Sequence, residues 1–369
     1  MKTDTITVKE LQKILNEKKP VFILDVRTTD QRNEWHIPES VHKDAYKALK
    51  DGDPSILDDI AIPEDTAVVT VCEEGKTSKI ARDILIKRGY SAYSLEGGMK
   101  AWNYAWNTVL KELPDSDIKI IQVRRAAKGC LSYIVGSGNE AIVVDASLDP
   151  EVYGHIAREH NWNIRYVMDT HIHADYISRT RELAAKTGAE HIFSEKAQVE
   201  YSFSPLCDSQ VLPFGNTKLK VLHTPGHTPE STCYLIDGRA LLTGDTLFTD
   251  GVGRPDLKAD KQQAVSNAAS LFDSLLRLFD LPEDTLLLPA HISHPVPFND
   301  PMIHASLAEL KNKLDLLSLS KKQFIAATLE RIPPTPPNYL KIATLNKKGS
   351  FDGYDPAQLE AGANRCAIT

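Results

Sequence analysis

Histidine and aspartate side chains recur in four short segments of the chain, each at the end of a predicted strand. These candidate metal ligands are His171, His173, Asp175, His227, Asp245 and His291. Imidazole nitrogens and carboxylate oxygens are groups with which proteins hold zinc and iron. Because the ends of several strands can converge on one face of a sheet, we expect one metal site here, although any one of these histidines alone could be a polar surface residue.

Cys72 is a candidate reactive thiol. It follows an apolar strand pattern over 67–71, and a loop containing Gly75 and Lys76 leads from it into a helix predicted over 78–88. A loop in this position can direct backbone N–H groups and the positive end of the helix dipole toward the sulfur. Both effects favour the thiolate, which is the reactive form, whereas an inert buried cysteine is the alternative for a lone thiol behind a strand.

The elements that must position these residues fall into two regions. Short apolar runs alternate with helical patterns in the first region, which predicts a small α/β domain. Strand patterns recur from Ile118 onward and are interleaved with helices, which indicates a layered α/β sandwich. These helices are predicted over 178–186, 262–279 and 303–317. A polar passage separates the regions, so we predict domains at 1–112 and 113–369.

Two local patterns refine the second region. The Asp237-Gly238 pair between two apolar runs predicts a hairpin turn. The proline-rich stretch over 333–337 cannot be helical, so we expect an irregular tail that wraps over the surface.

The composition limits the classes of function. A length of 369 residues suits two domains, and no apolar run approaches the ~18 residues that would span a bilayer. The net charge of −7, without a basic stripe, disfavours nucleic acid as a partner. The five irregularly spaced cysteines and the absence of an apolar export signal predict a cytoplasmic protein. The oligomeric state stays open, a homo-oligomer included.

Three further segments accompany the Cys72 loop in the first 110 residues, which are Asp25-Val26-Arg27, His36-Ile37-Pro38 and Leu95-Glu96-Gly97-Gly98. Together with the Cys72 loop, these segments resemble a single-domain rhodanese. The resemblance implies that Cys72 carries sulfur as a persulfide, that Gly75 and Lys76 bind substrate, and that Asp25 and Arg27 support the fold and the site. Phosphatases of related architecture need arginine where this chain has Ser78, so sulfur transfer is preferred to phosphate chemistry.

Several residues depart from the rhodanese pattern. Trp35, Glu39 and Ser40 stand where the family usually has small residues, and Glu73 and Glu74 follow the cysteine. The loop carboxylates would repel a dianion such as thiosulfate. We therefore hypothesise that the sulfur donor is an organic persulfide or the second domain's own substrate.

Residues 118–300 resemble the metallo-β-lactamase superfamily, which implies an αββα sandwich. Dinuclear members such as glyoxalase II carry histidine directly after the aspartate of the first motif, whereas this chain has Tyr176, which disfavours a second ion. The remaining set of His171, His227 and Asp245 leaves open positions and is typical of mononuclear non-haem Fe(II) oxygenases. Zinc bound by the histidines at 171, 173 and 227 is the competing assignment.

The ligands and the segment over 251–256 match the persulfide dioxygenase branch. This resemblance implies one Fe(II) per chain and places Arg254 near the thiol substrate, with His173, Asp175 and His291 orienting ligands or water. The expected reaction oxidises a low-molecular-weight persulfide with O2 to sulfite and thiol, and the rhodanese domain joins sulfite to sulfane sulfur as thiosulfate. Residues 292–294 differ from those that help hold glutathione in animal members, so the carrier thiol is open.

Three other functions compete with this one. The first is a zinc thioester hydrolase with an appended rhodanese domain. The second is a non-enzymatic sulfur carrier or sensor with a structural metal. An RNA-cleaving enzyme is disfavoured by the acidic charge and the missing second-site histidine. We interpret Cys130 and Cys233 as strand packing residues, and the sequence gives no role for Cys366.

Overall fold

The computed structural model describes residues 4–257, 259–362 and 364–369. The first domain is a five-stranded parallel sheet in the order β1-β5-β4-β2-β3, with helices connecting the strands. Its strands are β1 (Thr5–Ile6), β2 (Phe22–Asp25), β3 (Ser40–His42), β4 (Val68–Val71) and β5 (Ala92–Leu95). Its helices are α1 (Val8–Asn16), α2 (Thr29–Glu34), α3 (Tyr46–Lys50), α4 (Thr77–Lys87) and α5 (Gly98–Trp102). The α/β prediction for this region is confirmed.

The second domain begins with a seven-stranded mixed sheet whose strands lie side by side in chain order. The strands are β6 (Asn107–Glu112), β7 (Lys119–Arg125), β8 (Cys130–Ser137), β9 (Glu140–Val144), β10 (Asn163–Met168), β11 (Glu190–Ser194) and β12 (Ser204–Leu206). Two helices connect the later strands, α6 (Pro150–Glu159) and α7 (Thr180–Thr187). Every residue of β8 is buried, because this sheet is covered on both faces.

A six-stranded sheet forms the other half of the second domain. Its strands are β13 (Val211–Phe214), β14 (Thr217–His223), β15 (Thr232–Ile236), β16 (Ala240–Gly244), β18 (Leu286–Pro289) and β19 (Ala305–Ser306). The remaining elements are β17 (Val252–Gly253), α8 (Lys261–Phe279), α9 (Leu307–Lys313), α10 (Lys321–Glu330), α11 (Tyr339–Lys348), α12 (Pro356–Leu359) and β20 (Ala367–Ile368). None of the described helices is long and apolar enough to cross a membrane.

The two large sheets face each other across one apolar core. Leu131 and Val135 of β8 belong to the same buried cluster as Val221 of β14 and Leu242 of β16. Helices α6 and α7 pack on the outer face of the first sheet, and α8 packs on the second. This is the predicted αββα sandwich. The same core continues through Trp35 and Trp102 into the first domain, so the two domains share an apolar interface.

Three sequence predictions change in detail. Strand β6 pairs with β7 along its length, so the second domain's sheet begins at Asn107, before the predicted boundary at 112/113. The polar passage after Glu112 is the turn between β6 and β7 within this sheet, and its polar residues made it resemble a linker between domains. The helix predicted over 303–317 is a short strand, the helix α9 and a 3-10 turn. The segment over 333–337 is irregular, as predicted, but the residues after it return to the interior.

Candidate metal centre and thiol site

Three of the predicted ligands converge in the second domain. His171 follows β10, His227 lies between β14 and β15, and Asp245 directly follows β16. The Nε2 atoms of His171 and His227 lie 3.6 and 3.5 Å from Asp245 Oδ2. All three side chains are buried, and their donor atoms lie within 4.8 Å of one another. Two imidazoles and one carboxylate are thus brought to a single point.

Hydrogen bonds on the far side of each ring orient the two imidazoles. His227 Nδ1 donates to the carbonyl oxygen of Arg254 at 2.9 Å, and His171 Nδ1 lies 2.9 Å from the Thr170 hydroxyl. That hydroxyl donates to the Asp145 carboxylate and can therefore accept from His171. Both contacts leave the Nε2 lone pairs facing Asp245, as in metal-binding histidines.

The charge states of these groups suit a cation. Burial lowers the pKa of His227, and burial together with the neighbouring histidines lowers that of His171, so both rings stay neutral. Burial alone would raise the pKa of Asp245, but His291 outweighs it and the pKa falls to about 2. Asp245 Oδ2 is buried without a hydrogen-bond partner among the described residues. A buried carboxylate oxygen facing two neutral imidazoles fits a bound metal ion.

His291 is held between two carboxylates. Its Nδ1 donates to Asp245 Oδ1 at 2.5 Å, and its Nε2 lies 2.9 Å from Asp175 Oδ2 as an ion pair outside good hydrogen-bond geometry. Burial opposes protonation, but Asp175 and Asp245 raise the pKa of His291 well above its ordinary value. Both ring nitrogens thus face carboxylate oxygens. Asp175 and His291 therefore hold the candidate ligand Asp245 in place through contacts on its Oδ1 side.

Tyr176 and His173 form a second buried network beside the donors. The Tyr176 hydroxyl lies 2.8 Å from His173 Nε2 and donates to the carbonyl oxygen of Asp145. His173 Nε2 also lies 2.9 Å from Asp145 Oδ1. Burial lowers the pKa of His173, but the Asp145 carboxylate outweighs burial, and the pKa is raised above its ordinary value. His173 Nδ1 is buried without a partner among the described residues, so this atom alone could serve a zinc ion.

Arg254 lies in a buried hydrogen-bond network with the C-terminal segment. Its fully buried guanidinium donates to both carboxylate oxygens of Asp256 at 2.8 Å and to the carbonyl oxygens of Pro334 and Arg365. Its backbone N–H donates to the carbonyl oxygen of Cys366. The side chain thus anchors the C-terminal segment, and its expected contact with a thiol substrate stays a prediction.

Two cysteines lie beside the metal centre. Cys366 Sγ is within 4.8 Å of donor atoms of Asp245 and His291, and Cys130 Sγ lies 3.5 Å from Asp175 Oδ2. Sequence reasoning missed Cys366 because no motif surrounds it. The pairing of β17 with β20 places Cys366 beside Asp245. The sequence signal for this pairing is Gly251, because only a residue without a side chain allows the two strands to approach so closely. A Cβ atom at Gly251 would lie 2.1 Å from the carbonyl oxygen of Ile368. Cys130 begins β8 and is buried, but its sulfur faces Asp175 instead of an apolar cluster, whereas Cys233 packs in the core as predicted.

Cys72 lies between β4 and α4, where the sequence placed it. Its side chain is buried, and its Sγ lies 3.2 Å from the Ser78 hydroxyl. Gly98 covers the loop closely, because a Cβ atom there would lie 2.1 Å from the carbonyl oxygen of Cys72. Gly75 adopts a φ of +75° and packs against the backbone of Gly97. The loop is therefore shaped by backbone packing.

Charged residues around the thiol loop are mostly paired. Arg27 makes a buried two-point contact with Asp25 at 3.0 and 2.8 Å and reaches Glu73 at 3.6 Å, so this pair braces the loop. Lys76 is exposed and pairs with Glu74 at 2.8 Å, away from the sulfur. The binding roles predicted for Gly75 and Lys76 stay predictions.

Two cavities adjoin the candidate sites. One of about 230 Å³ reaches His227 and is lined by Lys196 and Lys347. Another of about 100 Å³ lies between the domains, where Arg27, Glu73 and Lys100 face Ala127 and Gly362. The first cavity therefore adjoins one of the three candidate donors, His227.

Comparisons with known proteins define the class. Residues 7–105 match the model of the rhodanese-like domain, and residues 126–291 match that of the metallo-beta-lactamase superfamily. The chain therefore joins a rhodanese-like domain to a metallo-beta-lactamase-fold domain.

Individual relatives are found for the second domain. Hydroxyacylglutathione hydrolase of Tolumonas auensis is 33% identical over 43% of this chain, which spans only 60% of that relative. The bovine mitochondrial persulfide dioxygenase ETHE1 is 28% identical over 54% of this chain and 81% of its own length. Among solved structures, ETHE1 of Myxococcus xanthus matches with a TM-score of 0.54 at 27% identity, covering 66% of this chain and all of that one. A Staphylococcus aureus metallo-beta-lactamase matches with a TM-score of 0.55 at 28% identity, covering 62% and 71%.

Proposed function

We propose that the chain is an iron-dependent persulfide dioxygenase whose N-terminal domain transfers sulfane sulfur. The observation that carries the proposal is the convergence of His171 Nε2 and His227 Nε2 on the unpartnered Asp245 Oδ2. Two histidines and one carboxylate with open positions are typical of mononuclear Fe(II) oxygenases. The likeness to bovine persulfide dioxygenase and to ETHE1 of Myxococcus xanthus supports the same assignment.

The surroundings of the three donors favour a single ion. A second ion would need a lone pair from His291, but both of its nitrogens face carboxylates. Tyr176 occupies the position after Asp175 and is engaged with His173. One metal beside an imidazole held between two carboxylates is consistent with these contacts.

The chain's own residues account for binding and orientation. When bound, Fe(II) supplies the redox chemistry by which O2 and the terminal sulfur of a persulfide react. The balanced reaction converts RSSH, O2 and H2O into RSH and sulfurous acid. Thr170 and the carbonyl oxygen of Arg254 hold the two imidazoles in the metal-binding tautomer, and the buried surroundings exclude bulk water. The cavity at His227 would hold the rest of the thiol.

The first domain would act on the same sulfur species. Cys72 would accept sulfane sulfur from a persulfide and pass it to sulfite, which gives thiosulfate without net oxidation. The small-molecule partners are therefore a persulfide, O2, and sulfite or thiosulfate. All five cysteines are unpaired, so we propose action in a reducing compartment such as the cytoplasm.

The proposal is tested on the full chain purified without oxygen. We expect iron in the protein and O2 uptake that depends on glutathione persulfide. Replacing His171 with alanine should remove both, whereas His155→Ala, at an exposed histidine, should change neither. Bound zinc with hydrolysis of S-lactoylglutathione and no O2 uptake would overturn the proposal.

That result would establish the second candidate, a zinc thioester hydrolase. It is favoured by the hydroxyacylglutathione hydrolases among the relatives and by the unpartnered His173 Nδ1. Substituting His173 distinguishes the two, because His173→Ala removes a ligand only in the zinc enzyme.

A further inference from the structure

Two residues that depart from the rhodanese pattern contact the second domain next to the metal centre. Trp35 is buried at the end of α2, and a Cβ atom at Gly129 would lie 3.0 Å from its Cη2 atom. Glu39 Oε1 accepts a hydrogen bond from the backbone N–H of Phe298 at 2.6 Å. Neither contact serves Cys72, so the departures are explained by the domain interface.

Both contacts bear on one segment, residues 291–298, which we call the His291 segment, because Phe298 belongs to it and Gly129 packs against it. The Cβ position at Gly129 that lies 3.0 Å from Trp35 also lies 3.0 Å from the Ile292 carbonyl oxygen, so Trp35 and Ile292 pack on the same side of Gly129. The backbone N–H of Ile292 donates to the carbonyl oxygen of Gly129, and Cys130 forms an isolated β-bridge with His291. Trp35 thus covers the backbone contact that fixes His291.

His291 in turn holds the metal donor Asp245 through the contact at 2.5 Å. A third contact reaches the same place by another route. Glu34, directly before Trp35, pairs with Arg365 at 2.6 Å, and the next residue, Cys366, lies beside Asp245 and His291. The first domain therefore contacts two segments that adjoin the metal centre, the His291 segment and the segment around Cys366.

We propose that Trp35 and Glu39 are positioning residues of the metal centre, so that the sulfurtransferase domain completes the site of the other domain. Loss of the indole would leave the His291 segment free to shift, and Asp245 would lose its fixed orientation. Substituting a residue that orients a metal ligand typically changes metal affinity or activity by about 10–100-fold. Trp35 acts one contact further out, so its substitution should have a smaller effect. This inference rests on the proposed metal centre, with either iron or zinc in it.

The test compares Trp35→Ala, Trp35→Phe and Glu39→Gln in the full chain, using the metal that the wild-type protein binds. We expect Trp35→Ala to raise the metal dissociation constant by about threefold to tenfold. The spectrum of the metal centre should change with it, for iron the electron paramagnetic resonance of the Fe(II)–nitric oxide complex. Trp35→Phe should restore most of both. Glu39→Gln, which keeps an acceptor oxygen, should have a smaller effect.

The matched control is Leu49→Ala, which opens a cavity in the first domain's own core away from the interface. It should lower stability without changing the metal affinity or the spectrum. Metal affinity and spectrum that stay at wild-type values in folded Trp35→Ala would overturn the inference. If that variant fails to fold, Glu39→Ala takes its place, because it removes the acceptor of the Phe298 N–H, and wild-type values in that variant would overturn the inference as well. A wild-type chain that binds no metal would instead overturn the proposed function.

Discussion

The donors of the metal centre come from three loops of two sheets. Residues far away in sequence, such as Trp35 and Cys366, pack around the segments that carry these donors. Cys72, its neighbour Ser78 and the covering Gly98 lie instead within one short stretch of the first domain. A site gathered from distant segments depends on packing across the molecule. A site within one stretch depends on local backbone geometry. Substitutions should therefore affect the two sites in different ways.

The strongest separation of the two sites is expected from Cys72→Ser. A serine hydroxyl cannot carry sulfane sulfur, so sulfur transfer from glutathione persulfide to sulfite should fall by more than about a thousandfold. Persulfide-dependent O2 uptake should stay within about twofold, because Cys72 touches no metal donor. Cys207→Ser, at an exposed cysteine, is the control and should leave both activities intact. Loss of both activities in Cys72→Ser would contradict the separation.

Asp245→Ala is the converse experiment. Removing the carboxylate should lower metal affinity by at least about a hundredfold, more than the loss of an outer partner, and O2 uptake should disappear with the metal. Sulfur transfer by Cys72 should persist, and thermal unfolding of the first domain should be unchanged. A chain that unfolds without a specific loss of turnover would favour the structural-metal alternative. Measuring the metal content and both activities on one preparation distinguishes a specific loss of O2 uptake from unfolding of the chain.

Glu360→Gln tests the dependence of the metal centre on distant packing. The Glu360 carboxylate pairs with Arg125 at 2.8 Å, both side chains are buried, and it accepts from the backbone N–H of Ile177 behind the first metal motif. Leaving Arg125 unpaired should cost about 3 kcal/mol, which lowers the thermal midpoint by about 6–10 °C. Glu283→Gln breaks an exposed pair and should cost less than about 1 kcal/mol. Equal midpoints for the two variants would contradict this account.

Gly98→Ala tests the dependence of the thiol loop on local geometry. The new methyl group would meet the carbonyl oxygen of Cys72, and φ is +58° there, so we expect a loss of about 2 kcal/mol together with slower sulfur transfer. Gly52→Ala is the matched control. The φ of Gly52 is also positive, at +81°, but no atom lies within 4 Å of the added methyl group. It should cost about 1 kcal/mol and leave sulfur transfer unchanged. O2 uptake should be normal in both variants.

The sequence alone predicted the strand ends that carry the histidines, because each motif directly follows an apolar run. It also predicted a layered α/β sandwich, for which the family resemblance implied the αββα arrangement, and the position of Cys72 between β4 and α4. Contacts between distant segments have no local pattern. The pairing of β17 with β20 depends on missing side chains at glycines, and the role of Trp35 depends on a surface that only the second domain provides. In the sequence, such residues resemble departures from the family pattern. Their role is recognised only when the structures of both domains are known.

Strand β20 follows every metal-binding segment in the order of synthesis. A ribosome delivers His171, His227, Asp245 and His291 before it delivers Ala367–Ile368, so for a time the pocket exists without the wall that later covers it. An ion arriving during that interval meets no closed barrier. Once the strand has docked, Cys366 lies beside Asp245 and His291 and covers this approach to the donors, so metal exchange should be slower in the mature chain than before docking.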